Sequence, residues 1–212
     1  MIKAVIFDWN GVIIDDIEAN GRANCDIIFE LGGQKISVDV WFKEIRQEWG
    51  KFFIKYGVKE EDLCKVLPMM SEHYFKYTKY VKLTKNVIDL LNYLKSNGII
   101  IGVLSGTAKK NILHNIETFS LDNYFSFIIS GDDVTNQKPH PEPLEKAIKA
   151  SGFNGREILY VDDMSAIFEQ AHNFGIIPVG MRSKISDDLS SAEYIVEDLQ
   201  GIINIIENIN QN

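Results

Sequence analysis

The sequence predicts an α/β fold: a doubly wound parallel sheet with an inserted α-helical segment. Three observations predict it. Short runs rich in β-branched residues recur along the chain, helical patterns alternate with the later runs, and residues 16–83 break that rhythm with helical pattern and no strong strand. The strand runs are near-continuous in apolar residues, as expected for parallel strands covered on both faces.

The elements follow in order. The first strand is "KAVIFDW", closing on Asp8. Residues 16–83 come next, with the aromatics Trp41, Phe42, Trp49, Phe52, Phe53, Tyr74 and Phe75 and many charges; they read as a helical cap whose aromatics build its own core. "TKNVIDLLNYLKSNG" then places Val87, Leu90, Leu91 and Leu94 on one face and stops at Gly98. The second strand is "GIIIGVLSG" at 98–106, the third "FSFIISG" at 125–131. "PEPLEKAIKASG" enters a helix through prolines and leaves it at Gly152. Strands four to six are "EILYVDD" at 157–163, "GIIPVGM" and "AEYIV". The domain reading is a core of residues 1–15 and 84–212 with a cap of residues 16–83, and the polar C-terminal tail is expected to fray.

Composition narrows the function. The chain has 212 residues, 45% apolar and 25% charged, enough for a sizeable core. A net charge of −8 argues against a basic, phosphate-tracking surface, so nucleic acid is not an expected partner. Cys25 and Cys64 make neither a disulfide framework nor a zinc pattern and read as buried reduced thiols. The start does not read as a signal peptide, and no apolar run approaches the ~18–20 residues of a membrane span. A cytoplasmic protein with no membrane partner is the expectation.

Four strand ends carry polar groups of a particular kind: Asp8 with Asn10; Ser105 with Gly106 and Thr107; Lys138 in "NQKPHPEP"; and Asp162 with Asp163. Singly, each is an ordinary turn or cap residue. In a parallel sheet, however, these ends converge on one edge. Carboxylate oxygens suit Mg²⁺, while a hydroxyl, backbone N–H groups and an ammonium suit phosphate oxygens, so the set predicts a phosphate-and-metal site. His140, between two prolines, reads as a solvent-exposed loop histidine.

With "FDWNGVIID", "VLSGT", "QKPHPEPLEKAI" and "LYVDDMSAIFEQAHNFG" in this order and spacing, the chain resembles the haloacid dehalogenase superfamily over essentially its whole length. It looks most like the phosphoglycolate phosphatase and β-phosphoglucomutase branch, which carries a helical cap after the first strand. The resemblance implies a phosphatase acting on a small phosphorylated substrate, with Asp8 as the nucleophile that becomes an aspartyl phosphate. Asp8, the backbone carbonyl of Asn10 and Asp163 would hold Mg²⁺, with Asp162 as a further ligand or supporting group. Ser105, Gly106 and Thr107 would hold the phosphoryl oxygens, and Lys138 would neutralise nucleophile and phosphate.

Asn10 departs from that pattern, because phosphatases of the family carry an aspartate there as general acid and base. An asparagine can be neither, although its backbone carbonyl can still meet a metal. Three accounts follow: a native variant that is slow or prefers good leaving groups such as acyl phosphates, an engineered substitution that traps a phosphoenzyme, or a chain that binds a phosphorylated ligand without turnover. The dehalogenases themselves lack the acidic pair that Asp162 and Asp163 form here. Phosphonoacetaldehyde hydrolases share the "FDW" opening and use a cap lysine, for which Lys35, Lys43 and Lys51 are available. Substrate choice would lie in the cap, with Lys43, Arg46 and Trp49 as candidate contacts and Arg46 the best match to a carboxylate or second phosphate.

Overall fold

The computed structural model describes residues 1–44 and 49–211. The chain divides into two compact units, Met1–Ile14 with Leu83–Asn212, and Asp15–Lys82. Two short strands, β2 (Ile14–Asp15) and β3 (Lys82–Leu83), mark where the chain crosses from one to the other.

The larger unit is built on six strands: β1 (Ala4–Phe7), β4 (Ile100–Leu104), β5 (Phe127–Ile129), β6 (Ile158–Asp162), β7 (Ile177–Met181) and β8 (Tyr194–Val196). They pair in parallel in the order β5-β4-β1-β6-β7-β8. All six runs expected from the sequence are strands, and the sheet is wound in both directions from its centre. The chain steps outward from β1 to β4 and β5, then returns across β1 to β6, β7 and β8. That reversal beside β1 is where open α/β sheets present their ligand crevice.

Every side chain of β1 is buried, as are all five residues of β6. Fully burying a Val, Ile or Phe is worth about 1.5–3 kcal/mol, so these two strands anchor the sheet. Their register decides the site. Phe7 lies opposite both Val103 and Val161, so Asp8, Leu104 and Asp162 sit level along one edge.

Helices α5 (Val87–Ser96), α6 (Lys109–Thr118), α7 (Glu142–Ser151), α8 (Phe168–Asn173) and α9 (Gln200–Gln211) belong to this unit. On α5 the buried residues are Val87, Leu90, Leu91 and Leu94, the face expected from their spacing. Gly152 ends α7 in the left-handed region at φ 76°, a conformation that costs glycine no Cβ clash. Through Gln211 the polar C-terminal tail is helical, where fraying was expected. It is the last turn of α9, held by buried Ile202, Ile203, Ile205 and Ile206 and by the Asn210 Oδ1 that accepts the Ile2 amide at 2.7 Å.

The smaller unit is helical: α1 (Ile17–Glu30), α2 (Val38–Glu44), α3 (Trp49–Lys55) and α4 (Leu63–Phe75). Its core joins Ile27, Ile28, Trp41, Phe52, Phe53, Val58 and Val66. Trp41, Phe52, Phe53 and Tyr74 are buried as the aromatic pattern suggested, whereas Phe42 and Phe75 are exposed, each on the solvent side of an amphipathic helix. The thiols also depart from expectation: Cys25 is half-buried on α1 and Cys64 is exposed at the start of α4, its thiol on the Glu61 carbonyl at 3.4 Å. Lys35, Lys43 and Lys51 are all exposed. Arg46 lies outside the described residues. No helix among the described residues is long and apolar enough to cross a membrane.

Candidate functional site

The site forms at the carboxyl ends of β1, β4 and β6. Asp8 follows β1 directly, its amide donating to the Val161 carbonyl at 2.8 Å, which extends the ladder one residue and aims the side chain past the sheet edge. Asp162 ends β6 and Asp163 follows it. Ser105 follows β4, with its amide on the Ile129 carbonyl at 3.0 Å. Asp8, Ser105, Asp162 and Asp163 are all buried, although polar.

Lys138 joins these strand ends. Its Nζ donates to Asp8 Oδ1 at 2.7 Å, to Asp162 Oδ2 at 2.8 Å and to the Tyr160 hydroxyl at 3.1 Å. An ammonium has three protons, and here each has an acceptor. Removing a charge from water costs several kcal/mol unless it is paired and hydrogen-bonded, a condition that this arrangement meets. Burial opposes the charged ammonium, but Asp162 and Asp8 outweigh it and hold Lys138 well above its ordinary value.

The loop carrying Lys138 is fastened from behind by Glu142, the first residue of α7. Its carboxylate accepts the amides of Thr135 at 2.9 Å and Asn136 at 3.0 Å, and the Lys146 ammonium at 2.9 Å. Those bonds, led by the Thr135 amide, bring the Glu142 carboxyl down to about 2.

On the other side of the site, Asn10 meets the loop after β4. The Thr107 hydroxyl donates to Asn10 Oδ1 at 2.5 Å, and the Ser105 hydroxyl lies 3.4 Å from the same oxygen. The Thr107 amide lies 3.3 Å from Ser105 Oγ, and the Thr107 carbonyl accepts the Gly131 amide at 3.1 Å. The sequence placed Asn10, Ser105 and Thr107 in one site, and the structure brings them into contact. Gly106 completes that turn between them.

The electrostatics are those of a cation site. One oxygen from each of Asp8, Asp162 and Asp163 lies within 4.8 Å of the others, all three residues buried. Burial, with Asp162 nearby and Lys138 opposing, raises Asp8 to about 6. Asp163 rises to about 7, again chiefly from burial and then from Asp8, against the Ser183 hydroxyl that lowers it. One ammonium does not balance three carboxylates. A buried, oxygen-only donor set with excess negative charge fits a hard divalent cation.

Residues 5–181 match the model of the haloacid dehalogenase-like hydrolases. The chain belongs to the haloacid dehalogenase-like hydrolase family. It is 26% identical over 215 residues to the pyrophosphatase PpaX of Oceanobacillus iheyensis, covering 97% of each chain. It is 25% identical to a phosphoglycolate phosphatase of Salmonella choleraesuis, covering 85% of this chain and 81% of that one. Among solved structures, a haloacid dehalogenase-superfamily hydrolase of subfamily IA from Geobacter sulfurreducens superposes with a TM-score of 0.75 at 27% identity, over 97% of this chain and 100% of that one. The β-phosphoglucomutase of Clostridium difficile gives a TM-score of 0.80 at 22% identity, over 100% and 98% of the two chains, a likeness of fold.

In this haloacid dehalogenase-like hydrolase, four residues of the site went unread in the sequence. Tyr160 had a signal: it lies two residues before Asp162 on one strand and so faces the same way. Gly11 had a weaker one. It sits at φ 77°, and a Cβ there would overlap the Asp163 carboxylate, so glycine is what lets that side chain in. Ser183, whose hydroxyl donates to Asp163 Oδ2 at 2.6 Å, comes from the loop after β7, and nothing local marks it. Glu142 reads as an ordinary first-turn acid.

Proposed function

We propose that the chain is a Mg²⁺-dependent phosphatase acting on a small phosphorylated metabolite through a phospho-Asp8 intermediate, slowed by Asn10. One observation carries this reading: Lys138 Nζ bridges Asp8 and Asp162 on one side of the site, while the Ser105 and Thr107 hydroxyls meet on the other. In this reading Asp8 is the nucleophilic carboxylate, with the Lys138 ammonium on it and phosphate-type donors at the end of the neighbouring strand. The relatives' names, a pyrophosphatase and a phosphoglycolate phosphatase, support a phosphoric ester or anhydride as the substrate class.

In the first step an Asp8 oxygen bonds to phosphorus, the bond from phosphorus to the leaving oxygen breaks, and that oxygen takes a proton. In the second, water attacks the same phosphorus, the Asp8–phosphorus bond breaks, and phosphate and a proton depart. Lys138 offsets the charge of Asp8 and of the incoming phosphoryl group, while Ser105, Gly106 and Thr107 orient the phosphoryl oxygens. Asp8, Asp163 and the Asn10 backbone carbonyl would hold Mg²⁺, supported by Asp162. Bound there, Mg²⁺ supplies positive charge against the nucleophile and the transferring group. The Asn10 carboxamide neither gives the leaving oxygen a proton nor takes one from water, so esters with poor leaving groups react slowly and acyl phosphates faster.

Residues 16–83 act as the cap in this reading, with Arg46 the residue for a second anionic group of the substrate. The test is phosphate release from acetyl phosphate and p-nitrophenyl phosphate, with Mg²⁺ and with chelator. Mg²⁺-dependent release that prefers acetyl phosphate and is abolished in Asp8→Asn supports the reading. Release that persists in Asp8→Asn, or none from either compound or from a panel of phosphorylated metabolites, removes it.

A further inference from the structure

Tyr160 is fully buried on β6, yet its hydroxyl reaches the charged network. It donates to Asp162 Oδ2 at 2.5 Å and accepts from Lys138 Nζ at 3.1 Å, closing a ring with the Lys138–Asp162 ion pair. The other Asp162 oxygen, Oδ1, accepts the Met164 amide at 2.9 Å. Asp162 is therefore held from two sides by protein donors. The tyrosine ring is fixed in turn by an edge contact with Phe168, centroids 6.4 Å apart. A phenylalanine would fill the same space, so packing alone does not account for a hydroxyl in this position.

We propose that Tyr160 is a positioning residue: its phenol ties Asp162 to Lys138, which keeps the ammonium on Asp8 and restrains the affinity of the acidic cluster for a divalent cation. It acts through Asp162 and Lys138, the two groups its hydroxyl meets. Without the phenol, Asp162 Oδ2 has one donor fewer and becomes a better cation ligand. Lys138 meanwhile loses an acceptor and holds Asp8 less firmly. The two effects run in opposite directions, which a general loosening of the fold would not produce. The proposal rests on the phosphatase reading for its turnover arm only, because cation binding is measured without substrate.

The experiment is a four-member cycle of wild type, Tyr160→Phe, Asp162→Ala and the double variant. Mg²⁺ binding is followed by calorimetry and turnover by phosphate release from acetyl phosphate. Expected for Tyr160→Phe is Mg²⁺ affinity raised about threefold or more with kcat lowered about tenfold, the scale of one hydrogen bond to a charged group. In the Asp162→Ala background, Tyr160→Phe no longer changes Mg²⁺ affinity. Unchanged or weakened Mg²⁺ binding in Tyr160→Phe, or full additivity of its effect on Mg²⁺ affinity with that of Asp162→Ala, overturns the proposal. Should wild type release no phosphate, the phosphatase reading fails and the Mg²⁺ arm still decides this one. Should Tyr160→Phe fail to fold, proton spectroscopy of the other proteins decides it: a slowly exchanging hydroxyl proton is expected in wild type and absent from Asp162→Ala. Its persistence in that variant overturns the proposal.

Discussion

The Thr107 hydroxyl donates to the carboxamide oxygen of Asn10 at 2.5 Å, so residue 10 is bonded to the loop proposed to hold the phosphoryl group. An aspartate in its place keeps that acceptor and adds an oxygen able to carry a proton. Asn10→Asp is therefore expected to raise turnover of p-nitrophenyl phosphate by about 10² or more, and of acetyl phosphate by much less, because the acyl leaving group needs little protonation. Parallel kcat measurements on the two substrates check this. Equal gains on both would point to repacking of the Thr107 contact instead.

Ser183 holds Asp163. Its hydroxyl donates to Asp163 Oδ2 at 2.6 Å and itself accepts the Ile185 amide at 3.1 Å, so the serine is oriented by backbone before it orients the carboxylate. Ser183→Ala is expected to lower Mg²⁺ affinity about 10-fold or more, the usual scale for partners of metal ligands, and Ser183→Thr to recover most of it. Calorimetric titration with Mg²⁺ alone reads both.

Stability should depend on pH in an unusual direction. Asp8 and Asp163, at about 6 and about 7, lie above the unfolded value near 3.9, so protonation favours the folded chain. Their contribution is full below about pH 4 and is lost as pH rises through those two values. Glu142, held near 2, works the other way and keeps its full contribution throughout that range. With chelator present, Tm is expected to fall between about pH 4 and 7. Mg²⁺ should reverse the fall at pH 8, and Asp163→Asn should flatten it. Melting curves across that range and at pH 8 test all three statements.

Glu142 governs the loop that carries Lys138. Without its carboxylate, the Thr135 and Asn136 amides lose their acceptor and Lys146 loses its ion partner. Glu142→Ala is expected to accelerate hydrogen exchange at those two amides and to lower kcat about fivefold to tenfold, with KM less affected. An unchanged exchange rate would sink the idea.

What could be read from the sequence follows from how local each signal is. The six strands were legible because runs such as Ala4–Phe7 and Ile158–Asp162 are apolar over their whole length, and the face of α5 because Val87, Leu90, Leu91 and Leu94 recur at helical spacing. The strand-end residues were legible jointly, once a parallel sheet was inferred. Residues that support them were not: Ser183 meets Asp163 across 20 positions, and Tyr160 meets Lys138 across 22. Phe42, Phe75 and Cys64 were misjudged because apolar character alone does not say which side of a small helical unit faces water.

The position of β1 carries a consequence for how the enzyme fails. It is paired on both sides, by β4 and by β6, while β5 and β8 form the sheet's two margins. Margins open first under mild denaturant, and strands enclosed on both flanks open last, with the whole domain. Asp8, the proposed phosphoryl carrier, is thus moored to the last part of the molecule to come apart. Damage or heat that frays a margin reaches the loop after β4 first, through the Ser105 amide on the Ile129 carbonyl of β5, while Asp8 itself stays in place until the whole domain collapses.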